Sequence, residues 1–196
     1  MSDSHAQRFE SVNTEEKLTL ASLASALVNG DQDMYEIHAE RLWNLQQDRV
    51  LAILLALNIS MHNELLSRNM ISSTPEEADA FFLSCYSHFP SQVVENLDED
   101  SKVSWFVAPH LLRFAEENSE LYNEIYELLS YDIIVTTTQL ILAAVAHAFA
   151  LSSDPVAYVQ EELDAVQINI STNPDMVQIP AIYTPSYFTA NGEIVS

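Results

Sequence analysis

The chain of 196 residues carries 29 acidic side chains against seven basic ones, a formal net charge of -22, and 48% of its residues are hydrophobic. That apolar share is enough to build a core, which excludes a disordered acidic chain, while the negative field disfavours nucleic-acid backbones and anionic membranes as partners. A single cysteine, Cys85, excludes an internal disulfide and a multi-cysteine zinc site, and two glycines, Gly30 and Gly192, exclude glycine-rich phosphate loops and argue strongly against a hairpin-rich β protein.

The N-terminus, MSDSHAQRFE, has no basic region followed by an apolar run, so no secretory signal is visible and a cytoplasmic location is expected. Residues 1–13 read as a flexible terminus. A first helix is expected from Thr14 or Glu15 to Asn29, capped by Asn13 or Thr14, with Glu15 and Glu16 at its positive end and Leu18, Leu20, Leu23, Ala24, Leu27 and Val28 as its apolar stripe. Asn29-Gly30 ends it in the manner of a left-handed cap. From Asp31 to about Met70 the pattern stays helical without Gly or Pro. A rod of that length is unusual in a globular domain, so a break is expected near Gln46 to Asp48, with Asp48 as the cap of a buried second element.

Thr74-Pro75-Glu76-Glu77 is the clearest helix start, with Thr74 as cap, Pro75 at the first position and Glu77 completing a capping box. This helix carries Phe81, Phe82, Cys85 and Phe89 to Pro90, and Cys85 reads as a small core residue. After a surface loop expected at Asp98-Glu99-Asp100-Ser101 come Trp105, Phe106 and Val107. Beyond Pro109, an amphipathic helix is expected with Leu121, Tyr122, Ile125, Leu128 and Leu129 opposite Glu116, Glu117, Glu120, Glu124 and Glu127.

The stretch Tyr131 to Leu151 has Asp132 as its only formal charge and is long enough to span a bilayer. The row Thr136, Thr137, Thr138 and Gln139, the ring of His147 and the lack of any Lys or Arg after Arg113 argue instead for a buried central helix. Such a helix is equally suited to the seam of a homodimer. Ser153-Asp154-Pro155 opens a last helix through Val166. Residues 167–196, with Pro174, Pro180 and Pro185, read as an extended C-terminal arm. The expectation is therefore an all-α, single-domain bundle of about seven or eight helices over residues 14–166.

The histidines are the main candidate reagents. A carboxylate-bridged metal centre in a bundle needs Glu-x-x-His pairs, which do not occur. Glu36 with His38, and His62 with Glu64, stand about 200° apart on a helix, a poor arrangement for joint ligation. His62-Asn63-Glu64 lacks the Pro-Cys-x-x-Cys half of a zinc deaminase site. No His-Glu-x-x-His, Walker loop or Gly-x-Ser-x-Gly is present, and no cofactor is expected. The glycosylation patterns at Asn58 and Asn169 read as chance without a secretory signal.

The leading expectation is a non-enzymatic protein, an inhibitor, adaptor or nucleic-acid mimic, whose acidic helix meets a basic surface on a partner through Glu116, Glu117, Glu120, Glu124 and Glu127. One alternative is a bundle holding a small molecule or metal near His38, His62, His110 and His147. The other is that the charge serves solubility in a saline cytoplasm and names no partner.

Overall fold

A computed structural model describes residues 8–71, 77, 80–81, 84–85, 87–91, 95, 133–170 and 177–178. In chain order its elements are β1 (Arg8–Ser11), α1 (Thr14–Asn29), α2 (Gln32–Trp43), α3 (Gln47–Ser67), α4 (Ile133–Leu151), α5 (Pro155–Ala165), β2 (Gln167–Ile170) and β3 (Val177–Gln178). The described residues are mostly helical, and they bound five helices. The helices expected around Trp105 and through Glu116 to Glu127 lie outside them.

Local chemistry sets the ends of these helices. Asn13 caps α1 by accepting from the Glu16 N–H at 2.9 Å, and the Glu16 carboxylate accepts from the Asn13 N–H at 2.9 Å, a reciprocal capping box. Gly30 ends α1 at φ 64°, a conformation that costs a residue with a Cβ, and the Asp31 N–H closes the turn on the Ala26 carbonyl at 2.9 Å. Asp31 then caps α2 by accepting from the Met34 N–H at 3.1 Å. The break expected near Gln46 occurs, but its cap is not Asp48. Gln46 holds that position without a side-chain bond, and Asp48 sits in the first turn of α3, where its charge suits the positive helix end. Asp154 caps α5 through the Ala157 N–H at 3.0 Å, with Pro155 opening the helix.

The core is the seam between α3 and α4. Residues 50–57 of α3 are fully buried, and residues 140–148 of α4 are at most 1% exposed. Alanines at positions 143, 144, 146 and 148 keep α4 thin, so its neighbours can approach on every side. Asn58 ties the two helices together, donating its amide to the Leu54 carbonyl at 2.8 Å and the Leu140 carbonyl at 3.0 Å. The polar row that argued against a membrane helix is absorbed inside. Thr138 donates to the Ile134 carbonyl at 2.8 Å and accepts from the Tyr35 hydroxyl of α2 at 2.5 Å, while Thr136, Thr137 and Gln139 are buried. Among the described residues α3 alone is long and apolar enough to cross a membrane by itself, and 72% of that apolar window is buried within the molecule. The Thr136–Leu151 part of α4 and Pro155–Ala165 qualify as a pair, across a 110° bend.

Short strands lie in both terminal segments. Within the segment read as flexible, β1 pairs antiparallel with β2, Arg8 opposite Ile170 and Ser11 opposite Gln167. Within the segment read as an extended arm, β2 also pairs with β3, giving a three-stranded sheet in the order β1-β2-β3. The small sheet qualifies the all-α expectation without changing the helical character of the molecule. Its anchor is Arg49 on α3, only 7% exposed, whose guanidinium reaches three places at once. Nε donates to Glu16, Nη1 to Glu10 at 3.2 Å, and Nη2 to the Ser11 carbonyl at 2.7 Å.

Removing one member of this network strands the others. Arg49→Ala leaves Glu16, itself 3% exposed, as an uncompensated buried charge, and the expected cost is about 3–5 kcal/mol in urea unfolding. Adding Glu16→Ala to Arg49→Ala should cost less than Glu16→Ala alone, because the stranded charge is then gone. Additive losses in that double-mutant cycle contradict the coupling.

Candidate functional site

Three of the four histidines singled out in the sequence fall among the described residues. His62 of α3 and His147 of α4 meet across the core seam, their ring centroids 5.6 Å apart and the planes tilted by 49°. Both are buried, at 5% and 0% exposure. His38 is buried on α2, where burial and then the nearby Arg41 charge hold its pKa below the ordinary histidine value. His110 lies outside the described residues. A pair of imidazoles supplies half of a tetrahedral ligand set, and among the described residues no group of three or more His, Cys, Asp or Glu side chains is placed to hold a metal.

Cys85 is buried, and burial pushes its thiol up to about 11, against a smaller opposing effect of Ser84. A thiol that stays protonated at neutral pH packs rather than reacts, in line with its reading as a core residue. Its neighbours fasten the 87–91 segment to the end of α4. His88 stacks on Phe149 at 5.3 Å, and Phe89 meets the same ring edge-on at 5.4 Å.

A cluster that sequence reading missed joins α3 to α5. Ser60 and Glu64 stand one turn apart on α3, facing Tyr158 and Glu162 on α5. Tyr158 donates its phenolic proton to Glu64, Ser60 donates to Glu162 at 3.3 Å, and Arg68 pairs with Glu64 from the next turn. Burial and then the Glu64 charge raise the pKa of Glu162, while bonds from Ser60 and Tyr158 pull the other way. Burial, with the hydrogen bond to Glu64 and both carboxylate charges, holds the Tyr158 hydroxyl in its protonated form well above the ordinary tyrosine range. The i, i+4 spacing of Ser60 and Glu64 was available in the sequence, but their opposition to α5 depends on a chain reversal about a hundred residues later.

Glu116, Glu117, Glu120, Glu124 and Glu127 lie outside the described residues. Among the described ones, α2 buries only His38 and Leu42 and leaves Asp33, Glu36 and Glu40 exposed. At about 100° per residue these three acids share a sector about 60° wide. Gln32 steadies Glu36 through a 2.9 Å hydrogen bond.

Glu162 provides a signed pH test. Its raised pKa means that the folded state favours the protonated acid more than the unfolded chain does. Its contribution to stability is therefore fully present below the ordinary glutamate range and is lost as pH rises through the folded value. Glu162→Gln should raise the melting temperature at pH 7, and the gain should disappear near pH 4. A loss of stability at pH 7 contradicts the repulsion with Glu64. No protein-family model matches this chain, and no curated protein or solved structure matches it significantly.

Proposed function

We propose that the chain is a non-enzymatic acidic interaction protein that engages a basic surface on a partner protein, as an inhibitor, adaptor or nucleic-acid mimic. The observation that carries this reading is the disposition of charge. Arg49 is engaged inside the molecule with Glu10 and Glu16, and at the surface Lys17 pairs with Asp164 at 2.5 Å and Arg68 with Glu64. Against them, Asp31, Asp33, Glu36, Glu40, Asp48, Asp154 and Glu161 are all exposed. Among the described residues these three bases are thus tied to the chain's own carboxylates, while the seven acids just named stand exposed. A surface of one sign steers a partner of the other and rejects like-charged ones.

Glu116, Glu117, Glu120, Glu124 and Glu127, expected from the sequence to share a helix face, remain our first proposed contact. The pairing of His62 with His147 favours a second reading, a bundle that takes a metal or small molecule at its core. Solubility in a saline cytoplasm is the third, and it requires no contact surface at all.

Replacing Glu116, Glu117, Glu120, Glu124 and Glu127 with Lys should weaken capture of basic proteins at low salt by about tenfold, and raising salt should weaken it for the parent protein. Capture undiminished by the charge reversal removes these residues as the contact. For the second reading, Co²⁺ titration followed by visible absorption decides. A stoichiometric band lost in His147→Ala supports a core metal, and no band removes the metal form of that reading. Unfolding of the protein at low salt supports the solubility reading.

A further inference from the structure

We infer that the outward face of α2 is a docking surface for a cationic amphipathic helix of a partner protein, an assignment that rests on the interaction reading above and gives it a place. Asp33, Glu36 and Glu40 form a ridge along the helix, spanning about 10.5 Å from first to last at 1.5 Å per residue. Lysines or arginines spaced i, i+3 or i+4, and i+7 on a second helix repeat that length, so the two rows pair without strain in either backbone.

The ridge has apolar margins. Met34 and Ile37 lie along one side, 42% and 45% exposed, and Trp43 lies on the other, 56% exposed. Helix formation does not require these exposures. The buried side of α2 already holds His38 and Leu42, with Tyr35 and Ala39 packed against the core. An acidic row edged by apolar side chains excludes water when it is covered, and a charge pair in such a setting is worth more than one on an open surface. The margins also select the occupant. A purely cationic chain would leave Met34, Ile37 and Trp43 wet, and a purely apolar helix would leave three carboxylates without counter-charges.

Other occupants fit less well. A second copy laid ridge on ridge would set like charges against one another. An anionic lipid surface or a nucleic-acid backbone meets the same repulsion. Arg41, exposed on the Met34 side, lies outside the acidic sector and can pair with an acid at the edge of the partner helix.

The test is binding of a designed amphipathic peptide of about 18 residues, Lys on one face and Leu on the other, to the full chain at about 0.15 M salt, read by calorimetry. A Lys and Ser peptide of equal charge and a Glu and Leu peptide serve as controls. Asp33→Asn with Glu36→Gln and Glu40→Gln, and separately Met34→Ser with Ile37→Ser, should each weaken binding by about tenfold, with the circular dichroism spectrum of the parent retained. The Lys and Ser peptide should bind at least about tenfold more weakly than the Lys and Leu peptide. Binding that survives both α2 variants, or is as tight with Ser in place of Leu, overturns the assignment. Loss of binding only when Glu116, Glu117, Glu120, Glu124 and Glu127 are reversed also overturns it, while leaving the wider reading in place. No binding by any peptide counts against both. A dimer in sedimentation that the α2 variants dissolve assigns the face to a second copy and likewise overturns the proposal.

Discussion

The rest of the described structure depends on one guanidinium. Arg49 sits on the first turn of α3, and its three donors reach a helix start, a strand side chain and a strand carbonyl. Glu16 serves two ends at once, one oxygen closing the capping box of α1 and the other accepting from Arg49. A lysine would not replace it, because a compact ammonium cannot hold a carboxylate, a second carboxylate and a carbonyl in one fixed fork. The position of β1 therefore follows from the start of α3. Through β1 it extends to β2, which follows directly on α5, and the Lys17–Asp164 pair links α5 back to α1.

A buried ion pair is a poor source of net stability, since desolvation offsets much of its Coulombic gain. The stability comes from the seam of α3 and α4, where fully buried Leu and Ile side chains contribute about 1.5–3 kcal/mol each. What the Arg49 network adds is a single arrangement. A smooth apolar helix such as α3 can rotate or slide against its neighbours at small cost, and a fork that fits only three acceptors removes that freedom. Asn58 acts in the same way at mid-helix, because its amide reaches the Leu140 carbonyl in one register only. Two polar groups thus fix the geometry of a core whose energy is apolar.

Much of this was legible in the chain, and the boundary between what was and was not has a physical cause. Asn13 with Glu16, Gly30 and Asp154-Pro155 announce helix ends because capping is a matter of three or four adjacent residues. The burial of α4 was legible because its apolar run leaves no polar face. The pairing of Arg8–Ser11 with Gln167–Ile170 was not, since four-residue strands carry little pattern of their own and their partners lie at opposite ends of the chain. The start of α3 departs from its local cap signal for a tertiary reason. Asp48 is a better capping residue than Gln46, but Arg49 must enter the helix on the side that faces Glu16, and this tertiary demand outweighs the cap preference. The Glu64, Tyr158 and Glu162 cluster was hidden for the same reason as the sheet, and the meeting of His62 with His147 followed only once the register of two distant helices was known.

The scarcity of bases links the interior to the surface. A chain shaped for solubility alone gains from interspersing both signs, which keeps net charge moderate and limits self-repulsion. Here Arg49 is fastened to carboxylates within the fold, and Lys17 and Arg68 are paired with Asp164 and Glu64 at its surface. The acids of α2 take no part in those ties. Asp33 and Glu40 could be exchanged for neutral residues without disturbing the core, whereas the same exchange at Glu16 would open it. Acids that the fold does not use, gathered in one sector and bordered by apolar side chains, mark the part of this molecule whose composition the demands of folding leave unexplained.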